Sequence, residues 1–256
     1  MPTREKVMSA AVLVRRDDGV TTVLFNRPEK RNALDMTMSG ALAGAVDEAA
    51  GTGDVLVLRS STPGMFVAGT DVQSLRDRSV ADSLARLNAR LFQRLADHPA
   101  VTVAVVEGWA LGGGCELALA CDLRLSTPDA RWGLPEVRLG LVPSAGGLHR
   151  LSEIVGQGTA NDLILTGRRI DGREAHRIGL VQRLMSDGSI GTAIDELLAE
   201  LARTSPLAVR LAKEAMRVTG DRHRLVDAVA QALSLASGDT QERLAALLAN
   251  RSDGRA

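Results

Sequence analysis

The chain of 256 residues contains no tyrosine, and aromatic residues make up only 2% of it. Mechanisms that need a tyrosine acid, base or nucleophile are therefore excluded, as are most platforms that stack nucleic-acid bases. Charge of one sign is also lacking, because 31 basic residues balance 31 acidic ones. This balance leaves no electrostatic footprint for nucleic acid or for an anionic lipid surface. We therefore expect neither nucleic acid nor a membrane among the partners.

Cysteine and long hydrophobic runs are scarce as well. Cys115 and Cys121 are too few for the disulfide framework of a small secreted protein, so we expect both to be reduced. The longest apolar runs, such as residues 101–106, are far shorter than the roughly 20 residues of a membrane-spanning helix. The first residues lack the pattern of a signal peptide. Together these observations predict a cytoplasmic protein.

The composition is that of a packed globular protein, with 45% hydrophobic and 24% charged residues. Strand patterns alternate with helical patterns through the first three quarters, beginning with a hairpin over residues 10–25. After about Gly188 only four helical patterns follow. We predict an α/β fold with a core over residues 1–189 and a helical region over residues 190–256.

Several common cofactor motifs are missing from the sequence. It has no P-loop and no dinucleotide-binding glycine fingerprint after a strand. The four histidines lie far apart, which argues against a zinc site. We therefore expect no metal and no separate cofactor.

Two glycine loops each follow a strand-like segment. The first is residues 66–72 (FVAGTDV), and the second is residues 108–116 (GWALGGGCE). Backbone N–H groups are unobstructed at glycine and unpaired at a helix start. Two such groups converging from different loops form an oxyanion hole. The simpler alternative, that the three glycines only allow close packing of a helix on a strand, remains equally open.

Two glutamates lie in otherwise apolar stretches near these loops. Glu116 follows the three glycines, and Glu136 follows Pro135. Two carboxyl groups can share acid and base roles if their environments separate their pKa values. Taken singly, each has a simpler interpretation: Glu116 as a charge complementing the helix dipole, and Glu136 as a loop carboxylate.

Several ordered motifs in the chain resemble those of a known family. Residues 26–35 (NRPEKRNALD) resemble the N-R-P-x-x-x-N-A-L signature of the crotonase, or enoyl-CoA hydratase/isomerase, superfamily. Residues 66–71 resemble its F-x-A-G-x-D loop, and residues 108–116 resemble its G-x-A-x-G-G-G-x-E loop. Further phrases fit in order at residues 135–136, 140–143, 145–147 and 165–168. The resemblance covers nearly the whole chain, and ordered motifs are far more specific than one glycine triplet.

The resemblance implies a spiral of ββα turns with a helical C-terminal region used in trimerisation. The implied assembly is a homotrimer or a dimer of trimers. Thr70 and Gly113 stand at the two positions whose backbone N–H groups bind the thioester oxygen. Glu116 and Glu136 stand at the two catalytic glutamate positions of the hydratases. The implied substrate is an acyl-CoA thioester, of which coenzyme A is itself a part.

The resemblance also implies a set of substrate-binding positions, and the chain departs from the family pattern near some of them. Gln73 stands where many members carry a lysine near the CoA phosphates, and the C-terminus lacks the family's A-F-x-E-K-R pattern. Arg31 or Arg251 is our candidate replacement. The implied substrate or CoA contacts are Arg31, Ala33, Ala68, Gly69, Thr70, Asp71, Val72, Trp109, Leu111, Gly112, Gly113, Pro135, Glu136 and Leu139.

The leading functional hypothesis is hydration of a trans-2-enoyl-CoA, because many isomerases of the superfamily keep only the second glutamate. The first alternative is a Δ3,Δ2-enoyl-CoA isomerase, or another acyl-CoA lyase or hydrolase of the same superfamily. The second is a non-catalytic acyl-CoA-binding protein, which the presence of both Glu116 and Glu136 disfavours. The sequence contains no readable code for acyl chain length.

Overall fold

The computed structural model describes residues 4–9, 11–71, 86–185, 189–217 and 223–252. It divides into two compact units, Met1–Ile190 and Gly191–Ala256. The division lies next to the predicted boundary between residues 189 and 190, whose assignment as a domain boundary stays a prediction. Val72 and Gln73, which the sequence analysis singled out, lie outside the described residues.

The first unit alternates strands and helices, which confirms the predicted α/β class. Its strands are β1 (Arg4–Ser9), β2 (Val12–Asp17), β3 (Val20–Phe25), β4 (Val55–Ser60), β5 (Thr102–Val106), β6 (Trp109–Leu111), β7 (Leu123–Ser126), β8 (Arg131–Gly133), β9 (Ile170–Asp171) and β10 (Arg183–Leu184). Its α-helices are α1 (Met36–Thr52), α2 (Leu87–Ala96), α3 (Gly113–Leu119), α4 (Gly147–Val155), α5 (Gln157–Thr166) and α6 (Gly172–Arg177). Two 3-10 helices, Pro28–Lys30 and Pro135–Leu139, complete it.

Seven strands form one sheet in the order β1-β2-β3-β4-β5-β7-β10. The pairs β1–β2 and β2–β3 are antiparallel, while β3, β4, β5, β7 and β10 pair in parallel. Strand β5 is buried along its whole length, as parallel strands covered on both faces usually are. A second sheet, in the order β6-β8-β9, carries the glycine segment that leads into α3.

Local sequence signals account for several element boundaries. The predicted hairpin forms between β2 and β3, with Asp18 and Gly19 both at positive φ in its turn. Asp35 caps α1 as predicted, because its side chain accepts a hydrogen bond from Met38 N–H at 2.9 Å. Gly53 ends α1 in the left-handed conformation that glycine favours.

The second unit is helical in its described residues. After α7 (Ile190–Ala202) come α8 (Pro206–Met216), α9 (His223–Leu235) and α10 (Gly238–Ser252). These correspond to the four predicted helices. Ser205 caps α8 by accepting from Ala208 N–H, and Pro206 occupies the first helical position, where its missing N–H costs nothing.

The structure differs from the sequence-based prediction at short elements. Strand β1 was not predicted, and β6 replaces part of what was expected to be a loop. The sequence pattern predicts a short helix over residues 115–120, whereas α3 begins two residues earlier, at Gly113. It also predicts an amphipathic helix over residues 80–96, of which α2 falls within the described part. Both cysteines are buried free thiols, as predicted. No helix of the described residues is long and apolar enough to cross a membrane.

Candidate active site

The first glycine loop is held in place by the residues that follow β3. Asn32 is fully buried at φ 55°, and its Nδ2 donates to Phe66 O at 2.8 Å and to Ser60 Oγ at 3.0 Å. Its Oδ1 accepts from Arg27 N–H at 2.7 Å. A positive φ is tolerated by asparagine better than by most residues. One side chain therefore joins the ends of β3 and β4 to the start of the loop.

Thr70 is positioned by a parallel bridge with Leu34. Leu34 N–H donates to Gly69 O at 2.8 Å, and Asp71 N–H donates to Leu34 O at 3.0 Å. Because neighbouring N–H groups of an extended segment point in opposite directions, the Thr70 N–H faces away from Leu34. Among the described residues, no backbone carbonyl accepts from it.

The second glycine segment approaches the first very closely. Gly112 has φ 50° and donates its N–H to Gly133 O at 2.9 Å, which turns the chain from β6 into α3. A Cβ at Gly114 would overlap Val67 O, and a Cβ at Gly113 would lie 3.6 Å from Thr70 N. The backbones of Thr70 and Gly113 therefore lie close together, and their role as an oxyanion hole stays a prediction. The alternative explanation, that glycine is needed for close backbone packing, applies to Gly114, where a Cβ would overlap Val67 O.

Glu116 is held rigidly within α3. Only 3% of it is exposed, and its Oε1 accepts from Ala145 N–H at 2.7 Å and from Gly147 N–H at 2.9 Å. Burial raises the pKa of this carboxyl, while the two N–H donors and the charge of Arg150 act in the opposite direction. The carboxyl group is thus fixed in orientation, with Oε2 left for other contacts.

Glu136 lies on the 3-10 helix Pro135–Leu139 and faces the glycine segment. A Cβ at Gly112 would lie 2.9 Å from its Oε1. Its Oε2 is buried and has no hydrogen-bond partner among the described residues. Burial, and to a smaller extent the charge of Glu116, raises the pKa of Glu136 to about 7. This carboxyl therefore changes protonation state near neutral pH, and it lies near enough to Glu116 for the charge of that residue to act on it.

The other predicted contact residues divide into two groups. Ala68, Gly69, Leu111, Gly112 and Pro135 adjoin the site residues along the chain, and Ala68 N–H donates to Arg31 O at 3.1 Å. The side chains of Arg31 and Leu139 are exposed, the latter by 67%, and Ala33 is half-buried. Trp109 is 44% exposed, and the Arg169 guanidinium lies 5.4 Å from the centre of its ring. The site role of each of these residues stays a prediction.

Sequence reasoning missed the residues that hold Glu116. The backbone N–H groups of Ala145 and Gly147 bind it, and Arg150 supports the same segment by donating to Ala145 O at 3.1 Å and to Gln93 Oε1 at 3.0 Å. The motif at residues 145–147 was noticed without a role. A buried glutamate carboxylate needs hydrogen-bond donors, and this requirement is the one signal in the sequence that could have pointed to a second segment holding Glu116. Within the described residues, no cluster of three or more His, Cys, Asp or Glu side chains is arranged to hold a metal ion.

The chain is similar to proteins of one known family. The sequence profile of the enoyl-CoA hydratase/isomerase family matches residues 15–244. The 2,3-dehydroadipyl-CoA hydratase of Escherichia coli K12 is 35% identical and aligns over 94% of this chain and 91% of its own.

Solved structures give the same result. The enoyl-CoA hydratase structure from Geobacillus kaustophilus HTA426 superposes with a TM-score of 0.91 at 29% identity, covering 97% of each chain. A Thermobifida fusca structure in complex with acetoacetyl-CoA superposes with a TM-score of 0.80 at 30% identity, covering 89% of this chain and 95% of that one. The predicted crotonase fold is confirmed, and the chain belongs to the enoyl-CoA hydratase/isomerase family.

Proposed function

We propose that this family member is an enoyl-CoA hydratase, which adds water across the 2,3 double bond of a trans-2-enoyl-CoA. The pairing of Glu116 with Glu136 carries the proposal. The charge of Glu116 raises the pKa of Glu136, and Glu136 Oε1 lies beside Gly112, next to the start of the helix that carries Glu116. Hydration needs two groups that handle protons, because water loses one proton while C2 gains one.

The oxyanion hole is formed in this proposal by the N–H groups of Thr70 and Gly113. Gly113 is the first residue of α3, so its N–H has no acceptor within the helix. When water adds to C3, the double-bond electrons move toward the thioester and an enolate oxygen develops. A backbone donor aimed at such an oxygen is worth about 3–4 kcal/mol of transition-state stabilisation.

The two glutamates take different roles. Glu116, fixed by two N–H donors that favour its charged form, accepts the proton of the attacking water. Glu136, whose pKa is about 7, is protonated in much of the enzyme at neutral pH and delivers a proton to C2. The hydroxyl goes to C3 and the proton to C2 from the same side of the double bond, so the addition is syn. Transfer of a proton from Glu116 to Glu136 through the next water restores the starting state.

The substrate class is an acyl-CoA thioester. Acetoacetyl-CoA in the related Thermobifida fusca structure supports this class. We assign contacts with the acyl-CoA to the segments at residues 68–71, 109–113 and 135–139, together with Ala33. Arg31, exposed beside Ala68, is the candidate partner of the CoA phosphates.

We also propose that the chain assembles as a homotrimer or a dimer of trimers. Helix α8 exposes large apolar side chains, including Leu207 at its start and Met216 at its end. Apolar surface of this kind indicates a protein partner. Light scattering at micromolar concentration should give a multiple of 27.0 kDa, and a stable monomer would contradict the assembly.

The two buried free thiols agree with a reducing compartment, and we propose the cytoplasm. Fractionation of the source cells, with detection of the native chain by mass spectrometry, tests this assignment. Recovery from a compartment bounded by a separate membrane would contradict it.

The function is tested with purified protein and crotonyl-CoA. We expect loss of the conjugated enoyl absorbance, with 3-hydroxybutyryl-CoA as the product identified by mass spectrometry. A parallel reaction with a 3-enoyl-CoA separates the alternatives. Rapid migration of its double bond without hydration of crotonyl-CoA identifies an isomerase, and binding without turnover of either substrate identifies a non-catalytic protein.

A further inference from the structure

Thr70 places a hydroxyl group in the gap between the two glycine segments. A Cβ at Gly113 would lie 2.9 Å from Thr70 Oγ1, compared with 3.6 Å from Thr70 N. The hydroxyl oxygen therefore lies closer to the Gly113 position than the amide nitrogen of the same residue does. An alanine at this position would carry no such group.

The Thr70 hydroxyl makes no hydrogen bond to another described residue, although the residue is half-buried. Other threonines of the chain use theirs: Thr21 Oγ1 donates to Asp54 at 2.6 Å, and Thr166 Oγ1 donates to Asp162 O at 2.6 Å. A threonine hydroxyl commonly bonds to a nearby backbone carbonyl. The Oγ1–H group of Thr70 therefore remains able to donate a hydrogen bond to a ligand, and it lies on the side of the chain that faces Gly113.

We propose that the Thr70 hydroxyl is a third hydrogen-bond donor to the thioester oxygen, beside the N–H groups of Thr70 and Gly113. The inference rests on the proposed function, because it needs an acyl-CoA whose carbonyl oxygen lies between these two N–H groups. A carbonyl oxygen has two lone pairs, and the enolate oxygen that develops from it accepts more strongly. No proton is transferred: the hydroxyl stays protonated and its hydrogen bond shortens as negative charge accumulates.

The proposal makes Thr70 a catalytic residue through its side chain as well as its backbone. Its hydroxyl rotates freely about the Cβ–Oγ1 bond, so it can follow the oxygen as the thioester becomes an enolate. The competing role is a hydrogen bond to Glu136 or to the attacking water. That role would act on the proton-transfer steps and would leave the polarisation of the carbonyl unchanged.

Three substitutions separate these roles while keeping the backbone N–H in place. Thr70→Val removes the hydroxyl at nearly constant shape, Thr70→Ala removes every side-chain atom beyond Cβ, and Thr70→Ser keeps a hydroxyl. Thr192→Val, on the exposed face of α7, is the matched control. The two measurements are kcat and KM for crotonyl-CoA, and the carbonyl stretching frequency of bound butyryl-CoA carrying a ¹³C label at the thioester carbon.

For Thr70→Val and Thr70→Ala we expect kcat to fall about 10- to 100-fold, somewhat less than the loss of a backbone donor usually causes. KM should change little, because the bond is stronger in the transition state than in the ground state. The carbonyl frequency of bound butyryl-CoA should rise toward its value in solution. Thr192→Val should keep the wild-type rate and frequency, whereas Thr70→Ser should recover most of the rate and most of the frequency shift that Thr70→Val loses.

Wild-type kcat and frequency in Thr70→Val would overturn the proposal. A lower kcat with an unchanged carbonyl frequency would also overturn it, because the hydroxyl would then act on Glu136 or on water. If the wild type binds butyryl-CoA but does not hydrate crotonyl-CoA, the proposed hydratase function fails while the frequency still decides on the third donor. Failure to bind any acyl-CoA overturns both.

Discussion

Glu116 and Glu136 are the same residue type in two differently built regions of one site. Glu116 sits in the helix that starts at Gly113, and two backbone N–H groups from residues 145–147 fix its Oε1. Glu136 sits on a short 3-10 helix, and the described residues supply no hydrogen bond to its buried Oε2. Burial raises the pKa of both, but only Glu116 has backbone donors from another segment opposing that effect.

The difference indicates how one residue type can serve as both base and acid. Donors stabilise the charged form of Glu116, whereas burial and the neighbouring negative charge stabilise the neutral form of Glu136. In the proposed hydration, Glu116 serves as the rigidly held base and Glu136, with a pKa of about 7, as the proton donor. Substitutions at Glu136, or at the residues that hold Glu116, each change one of these two carboxyl groups.

The largest effect is expected at Glu136, the carboxyl to which we assign delivery of the C2 proton. Glu136→Gln keeps the size of the side chain but has no proton to deliver, so hydration of crotonyl-CoA should fall by about 10²–10⁴-fold in kcat/KM. Glu196→Gln, at an exposed position of α7, makes the same chemical change as a control and should keep the wild-type rate. Steady-state kinetics of both variants provide the measurement, and near-normal turnover by Glu136→Gln would remove this residue from the mechanism.

A smaller loss is expected when the support of Glu116 is disturbed. A Cβ at Gly147 would lie 3.0 Å from Glu116 Oε1 and 3.0 Å from Leu134 Cδ1, so Gly147→Ala must displace the carboxyl. We expect kcat for hydration to fall by about 10- to 100-fold, because a small misplacement of a reacting group is costly.

Gly158→Ala is the matched control, since a Cβ there meets nothing within 4 Å. It should keep the wild-type kcat. Equal kcat values for the two alanine variants would mean that the orientation of Glu116 by residues 145–147 is unimportant.

The smallest effect concerns stability and its dependence on pH. The pKa of Glu136 is raised from 4.5 to about 7, so the folded protein holds this proton more tightly than the unfolded chain does. Because of the raised pKa, the free energy of unfolding falls as pH rises from 4.5 to about 7. Above that range it stays below its value at acidic pH. Glu136→Gln is neutral at every pH and avoids the loss.

Urea unfolding of wild type and Glu136→Gln at several pH values measures this effect. Above pH 7 the variant should be more stable by about 1–2 kcal/mol, less than the full shift implies because the carboxyl is partly exposed. Below pH 4.5 the two proteins should be equally stable. A variant less stable than wild type at pH 8 would contradict the assigned cause of the pKa shift.

Much of this site could be predicted from the sequence because its signals are local. The Asp35 cap, the turn at Asp18 and Gly19, and the glycine segment before Glu116 each depend on a few consecutive residues. Periodic patterns revealed the longer strands and helices. The family motifs then assigned Thr70, Gly113, Glu116 and Glu136 to one site. In the structure Thr70 lies beside Gly113 and the charge of Glu116 acts on Glu136, while their shared catalytic role stays a prediction.

The parts that escaped prediction depend on contacts between distant residues. The N–H groups that hold Glu116 come from residues 29 and 31 positions further along the chain, and no local pattern records such a pair. Strand β6 has three residues, too few for periodicity, and forms because it pairs with β8. The threefold role of the Asn32 side chain likewise appears only when three segments meet.

The central claim is that hydration requires both Glu116 and Glu136. The Glu116→Gln variant, assayed on crotonyl-CoA and on a 3-enoyl-CoA, tests it most directly. The amide oxygen can still accept from Ala145 and Gly147, so the fold should persist by circular dichroism. We predict that hydration falls by about 10²–10⁴-fold, because the variant lacks the base that activates water. Hydration of crotonyl-CoA at the wild-type rate by Glu116→Gln would contradict the account, whatever its activity on the 3-enoyl-CoA.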